Sequence, residues 1–339
     1  MTAAAAATLT KDAAMRRDRP VVILGANEDE HVQVVRRALL ERDAPVVVID
    51  FSKEFTTVDL QEGETLNGIP LNLGGIAVCW NRYKRAEVPA THSDRVRQEY
   101  VAAVEWLGLH QNLAQLLTMR AVPFVNNLEA TQFFGSKFTQ LMAARALGLT
   151  VPSTLVSNDR RDLIRFLSVH AQAIMKPIKI RRILNTEDHD RSLFFLTKTL
   201  TLEEVQESAD DAIFAIPLLV QERIEKQHEY RVVVVGDELF CFRIDSQARP
   251  ETALDWRLGE HLPIYELIEP PDDVRAACKA LQSKLGLVTG VYDFARNREG
   301  DLVFFECNPA GQWLQPALRC GAEIGHAFAK LLIDTARAS

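Results

Sequence analysis

The sequence predicts a mixed α/β protein that opens with a βαβ unit and continues into antiparallel hairpins. Short apolar runs at residues 21–25 and 46–51 flank a segment with helical spacing of its apolar side chains, which is typical of a parallel βαβ unit. Residues 229–243 and 291–308 each hold two apolar runs around a turn-type cluster, which predicts a β-hairpin. At 339 residues, the chain is long enough for two or three domains.

The composition is that of an ordinary globular protein. Apolar residues make up 47% and charged residues 25% of the chain, and the net charge of −7 argues against nucleic acid as the main partner. No apolar run is long enough to span a membrane. The five cysteines include no Cys-x-x-Cys pair, which indicates reduced thiols and a cytoplasmic location. Residues 1–20 lack the pattern of a secretory signal, and we expect a disordered tail there.

The opening unit extends to residue 126. Its predicted strands are residues 21–25, 46–51, 75–80 and 123–126, and its predicted helices are residues 27–42 and 93–117. The first turn lacks the Gly-x-Gly-x-x-Gly pattern, so a nicotinamide-binding domain is excluded.

A basic and aromatic cluster follows the third predicted strand. It contains Trp80, Arg82 and Arg85. A solvated strand end and a ligand-facing patch explain this cluster equally well, and the sequence leaves both interpretations open.

Two lysines stand out in the next unit. Lys137 lies in the first turns of a helix predicted over residues 130–147, with Gly148 as its C-cap, and a surface lysine is an equally good interpretation of it. Lys176 ends the apolar strand 173–177, where a cation is costly unless an anion meets it. Lys176 is therefore the stronger candidate for an anion-binding residue.

Strands and helices continue to alternate through the rest of the chain. Thr201 and Glu204 form a capping-box pattern at the start of a helix, and Glu229 and Arg231 share one face of a strand. The other predicted strands are residues 151–156, 192–199 and 217–224, and the other predicted helices are residues 159–169, 272–285 and 317–336.

The hairpin 291–308 carries the most specific chemistry. Side chains alternate between the two faces of a strand, so Glu306 and Asn308 point the same way, and antiparallel pairing can bring Asp293 onto that face. Two carboxylates and an amide oxygen suit a hard cation such as Mg²⁺. An ordinary solvated hairpin face is the alternative, which the apolar neighbours of Glu306 disfavour because an unpaired charge among them is costly. Cys307 must face the opposite side, in the core.

These residues together suit the binding of a polyphosphate. Lysine, arginine and Mg²⁺ neutralise the charge of phosphoryl oxygens. Along the sequence, the two lysines come first, Arg231 follows, and the residues predicted to bind Mg²⁺ come last. The Gly-x-x-x-x-Gly-Lys motif does not occur, which excludes a P-loop nucleotide site.

The motifs share their chain order with those of a known superfamily. They are Asn126-Asn127, Lys137 with Gln140-Leu141, Met175-Lys176-Pro177, Gln221-Glu222-x-Ile224-x-Lys226, Glu229-Tyr-Arg231, Ile244-Asp245-Ser246-Gln247, Asp255-Trp256-Arg257 and Glu306-x-Asn308-Pro309-x-Gly311-Gln312-Trp313. The pattern resembles the ATP-grasp superfamily and, within it, the graspetide (microviridin-type) peptide macrocyclases, which form ω-ester or ω-amide rings. The resemblance covers roughly residues 80 to 330. The metal residues alone indicate only the superfamily, whereas the last three motifs are specific to this branch.

The resemblance implies the ATP-grasp fold, with an N-terminal α/β (pre-ATP-grasp) domain followed by two α+β subdomains that enclose the nucleotide. The implied boundaries are residues 21–126 for the first domain, 127–220 for the central subdomain and 221–339 for the C-terminal subdomain with the metal site.

The resemblance also implies the roles of the nucleotide-binding residues. Lys137 and Lys176 would hold the phosphates of ATP. Gln221, Glu222 and Ile224 would form the hinge beside the nucleotide, where Glu222 and Ile224 would meet adenine partly through the backbone.

The metal and catalytic residues are implied in the same way. Asp293, Glu306 and Asn308 would bind Mg²⁺, and Arg231 would stabilise the transferring γ-phosphoryl group.

A further set would bind the peptide. Glu229, Asp255 and Arg257 would form the acceptor pocket for a side chain of the core peptide. Trp80, Arg82 and Arg85 lie where relatives have a Trp-x-Arg-Arg element, and the spacing here is looser.

One segment departs from the pattern of the superfamily. Many ATP-grasp enzymes follow Lys-Pro with a Gly/Ser-rich phosphate loop, whereas this chain has Ile178 and then the basic segment 179–182. This segment is either a basic lid edge away from the nucleotide or a set of cations that assists phosphate or acidic-peptide binding.

The implied activity is that of an ATP-dependent ligase. It would phosphorylate Asp or Glu side chains of a ribosomally made precursor peptide and join them to Ser/Thr hydroxyls or Lys amines of the same peptide. We expect the leader of this peptide to bind outside the nucleotide cleft, and a homodimer. The alternatives are an amino-acid ligase of the glutamate-adding, ribosomal-protein modification type and a non-catalytic nucleotide-binding module. The Asp-Trp-Arg and Gly-Gln-Trp elements count against the former, and the complete metal set counts against the latter.

Overall fold

The computed structural model describes most of the chain. The described residues are 19–50, 57–60, 63–82, 94–178, 182–183, 193–194, 197–209, 216–259, 262 and 264–339. The expected tail up to residue 18, Arg85 and residues 179–181 of the basic segment lie outside them. Among the described residues, no helix combines the length and apolarity that a membrane crossing demands.

The N-terminal unit contains the parallel sheet that the opening pattern predicts. Its elements are β1 (Val21–Leu24), α1 (Glu30–Leu40), β2 (Val46–Ile49), β3 (Val58–Asp59), β4 (Thr65–Leu66), β5 (Ile69–Pro70), β6 (Val78–Asn81), α2 (Asp94–Met119) and β7 (Phe124–Val125). The parallel sheet has the order β2-β1-β6-β7, so β1 and β6 lie in its middle. The small antiparallel sheet of β3, β4 and β5 was not predicted, because two-residue strands carry no readable periodicity.

The single helix predicted to carry Lys137 is two helices, α3 (Leu128–Phe134) and α4 (Lys137–Ala146). Gly135 ends α3, and Ser136 adopts an extended conformation as the N-cap of α4. Lys137 is therefore the first residue of a helix, and the prediction of one continuous helix was wrong.

An antiparallel sheet follows. Its elements are β8 (Thr154–Ser157), α5 (Arg160–Val169), β9 (Ala173–Lys176), β12 (Lys198–Leu200), α6 (Leu202–Glu207) and β13 (Leu218–Glu222), with β10 (Arg182–Ile183) and β11 (Leu193–Phe194) as a separate pair. The strand order is β12-β9-β13-β8, and apolar side chains of α5 and α6 pack on the sheet. The predicted capping box is confirmed, because Thr201 N donates to Glu204 Oε2 at 2.8 Å and Glu204 N donates to Thr201 Oγ1 at 3.2 Å.

Five antiparallel strands form the largest sheet among the described residues. They are β14 (Lys226–Val235), β15 (Glu238–Ile244), β16 (Tyr265–Ile268), β17 (Thr289–Asn297) and β18 (Leu302–Asn308), in the order β16-β15-β14-β17-β18. Both predicted hairpins are confirmed, and β16 is an additional edge strand. The short helix α7 (Pro250–Ala253) follows β15. Helices α4 and α8 (Asp272–Leu285) pack on one face of the sheet, where Cys307 is buried as predicted.

The predicted closing helix is also interrupted. It consists of α9 (Leu314–Cys320) and α10 (Ile324–Ala338), because Gly321 takes a left-handed conformation with φ of 67° that ends α9. Helix α10 returns to the N-terminal sheet and shares its core, in which Ile23 and Phe328 are buried. The cores thus connect distant parts of the sequence, and the three-part division of the chain stays a prediction.

Candidate active-site cleft

A cleft of about 1090 Å³ brings the predicted site residues together. It is lined by β9 and β13 of the four-stranded sheet and by β14, β17 and β18 of the five-stranded sheet. The lining includes all of the residues to which the sequence assigns a role in nucleotide, metal or acceptor binding: Lys137, Lys176, Gln221, Glu222, Ile224, Glu229, Arg231, Asp255, Arg257, Asp293, Glu306 and Asn308.

The carboxylates predicted to bind a metal lie on neighbouring strands. Asp293 on β17 pairs directly with Glu306 on β18, and a β-bulge then leaves Phe305 as an extra residue of β18. Asp293 also pairs with Arg231 on β14, whose Nη1 lies 2.7 Å from Asp293 Oδ1 and 2.9 Å from Oδ2. Asn308 donates from Nδ2 to Glu306 Oε1 at 3.1 Å. Three adjacent strands therefore place two carboxylates, an amide and a guanidinium on one surface.

This set of donors fits a Mg²⁺ ion that is shared with a phosphate ligand. Burial raises the pKa of Asp293 and the charge of Glu306 adds to the effect, while Arg231 opposes it. A divalent cation at this position would relieve the repulsion between the two carboxylates. The described residues contain no group of three His, Cys, Asp or Glu side chains that could hold a metal alone. An ion held here would therefore need further oxygen ligands, as Mg²⁺ has when it is bound through one or two carboxylates and substrate phosphates.

Two lysines lie beside the acidic pair. Lys137 Nζ is 3.3 Å from Glu306 Oε2, and the ammonium of Lys176 lies 5.3 Å from the centre of the Phe305 ring. Burial lowers the pKa of Lys176 to about 8, an effect that Glu306 opposes and Lys137 reinforces. Such a desolvated ammonium gains most from an incoming anion, because the anion replaces the solvation that burial removed.

The side chains of the hinge are engaged with β8 and its surroundings. Glu222 accepts a hydrogen bond from the backbone N–H of Ser153 at 2.9 Å, and its other oxygen lies 3.3 Å from His170 Nδ1. Gln221 donates from Nε2 to Thr154 Oγ1 at 2.9 Å. These bonds fix this wall of the cleft, and the backbone N–H groups of Glu222 and Arg223 bond Ser153 O at 3.0 Å and Gln172 O at 2.9 Å.

The residues predicted to form the acceptor pocket occur as ion pairs. Asp255 binds the guanidinium of Arg257 through two contacts, one of them between Asp255 Oδ1 and Arg257 Nε at 2.7 Å. Burial alone raises the pKa of Asp255, but the hydrogen bonds and charge of Arg257 outweigh it, so the pKa is lowered. The Asp255 hydrogen bond in turn raises the pKa of Arg257 against the effect of burial.

Lys226 is a member of the site that sequence reasoning gave no role. Its Nζ lies 2.7 Å from Glu229 Oε1, and both side chains are buried. Two residues three apart in a strand normally face opposite sides. Here a register shift between Lys226 and His228 makes Gln227 an extra residue and turns both charged groups to the same side. The shift depends on pairing with β17, so the spacing alone does not reveal it.

Gln140 and Asn126 hold the hairpin of β17 and β18 through hydrogen bonds to its backbone. The amide of Gln140 donates to Cys307 O at 2.6 Å and accepts from Cys307 N at 2.9 Å, between the two predicted ligands of β18. Asn126 accepts from Val288 N at 2.8 Å and Thr289 N at 2.7 Å, at the start of β17. The sequence motifs contain both residues, but no local pattern indicates these long-range contacts.

The described members of the basic and aromatic cluster, Trp80 in β6 and Arg82 directly after it, form neither a solvated strand end nor a ligand-facing patch. Trp80 is 3% exposed and packs against Phe328 with ring centres 5.2 Å apart. Arg82 is 2% exposed and donates from Nη1 to Ala310 O at 2.6 Å. Both residues lie inside the protein, because α10 and the loop after β18 cover the end of β6.

Solved structures resemble the chain over nearly its whole length. The RiPP-associated ATP-grasp ligase of Chryseobacterium gregarium, solved with ADP and a leader and core peptide, has a TM-score of 0.76 and 20% identity, with 93% of this chain and 97% of that chain covered. The macrocyclase MdnC of Microcystis aeruginosa, bound with precursor peptide MdnA, has a TM-score of 0.75 and 20% identity over 93% and 99% of the two chains.

A third structure is the ATP-grasp ligase PsnB, complexed with a phosphomimetic variant of its minimal precursor, Mg and ADP. Its TM-score is 0.71 and its identity 22%, with 94% of this chain and 99% of that chain covered. The sequence matches no protein-family model and no curated protein. At these identities the likeness establishes the architecture, and the chain has the fold of the ATP-grasp ligases.

Proposed function

We propose that the chain is an ATP-dependent peptide macrocyclase. It joins Asp or Glu side chains of a ribosomally made precursor peptide to Ser/Thr hydroxyls or Lys amines of the same peptide. The observation that carries the proposal is the convergence of the predicted nucleotide, metal and acceptor residues on one cleft. The likeness to ATP-grasp ligases solved with peptide substrates supports the choice of substrate class.

In this proposal, the basic side chains of the cleft bind the triphosphate. Lys137 and Lys176 contact phosphate oxygens, and Arg231 faces the γ-phosphoryl group from the neighbouring strand. Mg²⁺ bound by Asp293, Glu306 and the Asn308 amide oxygen would neutralise charge on the phosphoryl oxygens. Adenine lies against residues 222–224, where Glu222 and Ile224 meet it partly through the backbone, and the side chains of Gln221 and Glu222 fix this wall of the cleft.

The chemistry proceeds in two displacements. A carboxylate oxygen of the peptide attacks the γ-phosphorus and ADP leaves, which gives an acyl phosphate. A hydroxyl or amine of the same peptide then attacks the acyl carbon, phosphate leaves, and the proton of the nucleophile passes to phosphate. The Asp255–Arg257 and Glu229–Lys226 pairs fix the walls of the pocket in which the peptide groups meet, and the ring closes because both groups are held in contact.

The proposal extends to partners and assembly. The leader of the peptide binds outside the nucleotide cleft, the enzyme forms a homodimer, and it works in the cytoplasm. The free cysteines, of which Cys79, Cys241, Cys278 and Cys307 are buried, suit a reducing compartment. Sedimentation of the purified protein tests the dimer.

The test of the activity is a mass measurement. The protein is incubated with ATP, Mg²⁺ and a candidate precursor, namely the product of a short neighbouring reading frame rich in Thr/Ser and Asp/Glu. We expect one water mass to be lost per ring and one phosphate to be released per water. A gain of residue mass would instead indicate the glutamate-adding alternative, and a bound nucleotide without phosphate release would indicate a binding module. Glu306→Gln is expected to lower turnover at least about 100-fold.

A further inference from the structure

The loop that follows β18 orients an arginine of the site. Arg231 Nη2 donates to the carbonyl oxygen of Gln312 at 2.7 Å and Nε donates to the same oxygen at 3.2 Å, while Nη1 is bound to Asp293. The carbonyl of Gln312 and the carboxylate of Asp293 thus define the direction of the guanidinium. Any change in the path of residues 309–314 moves one of these two acceptors.

One end of this loop is held by an imidazole of the N-terminal unit. His31 Nε2 accepts hydrogen bonds from Trp313 N at 3.2 Å and Leu314 N at 3.3 Å. Because Nε2 acts as an acceptor, the proton of the neutral ring lies on Nδ1, which is 2.9 Å from Asp29 Oδ1. The ring also packs edge-on against Trp313, with centres 4.7 Å apart.

The other end of the loop is held by a buried guanidinium. Arg82 Nη1 donates to Ala310 O at 2.6 Å and to Gly311 O at 3.2 Å. Arg82 Nε donates to Asp29 Oδ2 at 3.2 Å, so Asp29 connects the two contacts. The side chains of Asp29 and Arg82 are 6% and 2% exposed.

We infer that Asp29, His31 and Arg82 are positioning residues for phosphoryl transfer, and the inference rests on the proposed function. Arg82 directly follows β6, Asp29 is the N-cap of α1 and His31 lies in its first turn, so the N-terminal unit reaches the reaction centre without contributing a catalytic group. Their contacts flank Gln312 on both sides in sequence, and Gln312 in turn fixes Arg231. Arg231 is therefore correctly oriented in the cleft only when the N-terminal unit holds the loop in place.

A matched pair of amide substitutions tests the contact between His31 and the loop separately from its contact with Asp29. His31→Gln can place an acceptor where Nε2 lies, whereas His31→Asn is one methylene shorter and keeps only the contact with Asp29. His110→Gln is the control, because His110 is a buried histidine of the same unit whose Nε2 lies 3.0 Å from Asn81 Oδ1.

The first readout is the Nε–H resonance of Arg231 in ¹⁵N-labelled full-length protein, assigned by its loss in Arg231→Lys. We expect His31→Asn to shift or broaden this resonance, and His31→Gln and His110→Gln to leave it in place. An unmoved resonance in His31→Asn would overturn the inference, as would an equal shift in the control. This measurement needs no peptide, so it decides the inference even if the proposed function fails.

The second readout is phosphate release from Mg-ATP in the presence of the candidate precursor. We expect His31→Asn to lower kcat about tenfold or more while KM for ATP changes little, because a misplaced guanidinium weakens the transition state and not the ground state. His31→Gln should recover most of kcat. Equal losses in the two amide variants would contradict the inference, and so would a loss confined to KM.

Discussion

At the level of single residues, the charges of the cleft occur as ion pairs. Arg231 binds Asp293 and Lys226 binds Glu229 with both side chains of each pair largely buried, and the buried Asp255 binds Arg257, whose side chain is 40% exposed. A buried charge that keeps its partner is tolerated, whereas removal of one partner leaves the other uncompensated. These pairs therefore keep both positive and negative charges in the cleft, where a charged substrate would bind. Substitution of only one partner of a pair should destabilise the protein.

The Lys226–Glu229 pair gives a direct test of this view. Lys226→Met is predicted to lower the free energy of unfolding by about 3 kcal/mol, because it leaves Glu229 buried and unpaired. The double variant Lys226→Met/Glu229→Gln should recover most of the loss. Urea denaturation measures both.

The exposed pair Arg243–Glu266 is the control for that experiment. Its side chains are 46% and 64% exposed, so Arg243→Met should change the free energy of unfolding by less than about 1 kcal/mol. Equal effects of Lys226→Met and Arg243→Met would contradict a role for burial.

The affinity for ADP is predicted to fall as the pH rises through about 8, the pKa of Lys176. Burial lowers that pKa first of all, Lys137 and Arg257 add to the effect, and Glu306 and Asp255 oppose it. Only the protonated lysine attracts phosphate. Titration calorimetry at a series of pH values measures this fall in affinity. Lys176→Met should bind ADP more weakly than the wild type, and its affinity should no longer fall with pH in this range.

The same group makes stability depend on pH. The folded-state pKa of Lys176 of about 8 lies below its ordinary value of 10.5, so between these values the unfolded chain binds one more proton than the folded one. The free energy of unfolding contributed by this group therefore rises with pH across that interval. If the difference in free energy of unfolding between the wild type and Lys176→Met stayed constant across this pH interval, the lysine would not be desolvated.

At the level of elements, one helix both supplies a cation and fixes the strand that carries the acidic ligands. Helix α4 begins at Lys137 because Gly135 and Ser136 interrupt the preceding helix. One turn later, Gln140 bonds both backbone groups of Cys307. Lys137 and β18 are thus held at a fixed distance by a single rigid element.

Gln140→Ala is predicted to damage both stability and binding. It leaves the N–H and C=O of Cys307 buried without this partner, at a cost of about 1–3 kcal/mol, and it loosens β18, so the affinity for Mg-ADP should also fall. Gln282→Ala is the matched control, since Gln282 also bonds backbone carbonyls from a helix but far along the sheet from the site. The idea fails if calorimetry gives the two variants the same affinity for Mg-ADP.

The sequence predicts elements well where the signal is local. The alternation around Glu306, the capping box at Thr201 and the apolar strand before Lys176 all depend on neighbours in the chain. The breaks at Gly135 and Gly321 were missed, because the apolar spacing of each helix continues across its glycine. The shift that turns Lys226 towards Glu229 was missed for a different reason, since it depends on pairing with a strand far along the chain.

At the level of the whole molecule, the closing helix packs against the N-terminal unit beside the loop that follows β18. Phe328 of α10 packs against Trp80 of β6 and stacks on Trp313 of the loop, with ring centres 5.2 and 5.4 Å apart. Sequence patterns could not predict this contact, because nothing local distinguishes a buried strand-end tryptophan from one that faces a ligand. The order of the motifs predicted the ATP-grasp fold and the residues that line the cleft. It did not predict that the N-terminal unit supports the loop.

The fit of the loop against the sheet predicts the effect of a single methyl group. A Cβ added at Gly311 would lie 2.6 Å from Val291 Cβ and Cγ2, so Gly311→Ala must displace the loop or β17. We expect a loss of about 1–3 kcal/mol in the free energy of unfolding and a lower kcat. Gly108→Ala serves as the control because nothing lies within 4 Å of its new Cβ, and alanine there should stabilise α2. Unchanged kcat and an unchanged free energy of unfolding in Gly311→Ala would contradict this close packing of the loop against Val291.

The central claim is that the cleft transfers the γ-phosphoryl group of ATP to a carboxylate of the peptide. The most direct measurement uses the candidate precursor with ¹⁸O in its Asp and Glu side chains, together with ATP, Mg²⁺ and the wild-type protein. If an acyl phosphate forms, one ¹⁸O atom passes into each inorganic phosphate released, and mass spectrometry of the phosphate detects it. Released phosphate whose new oxygen comes from solvent water alone would contradict the account.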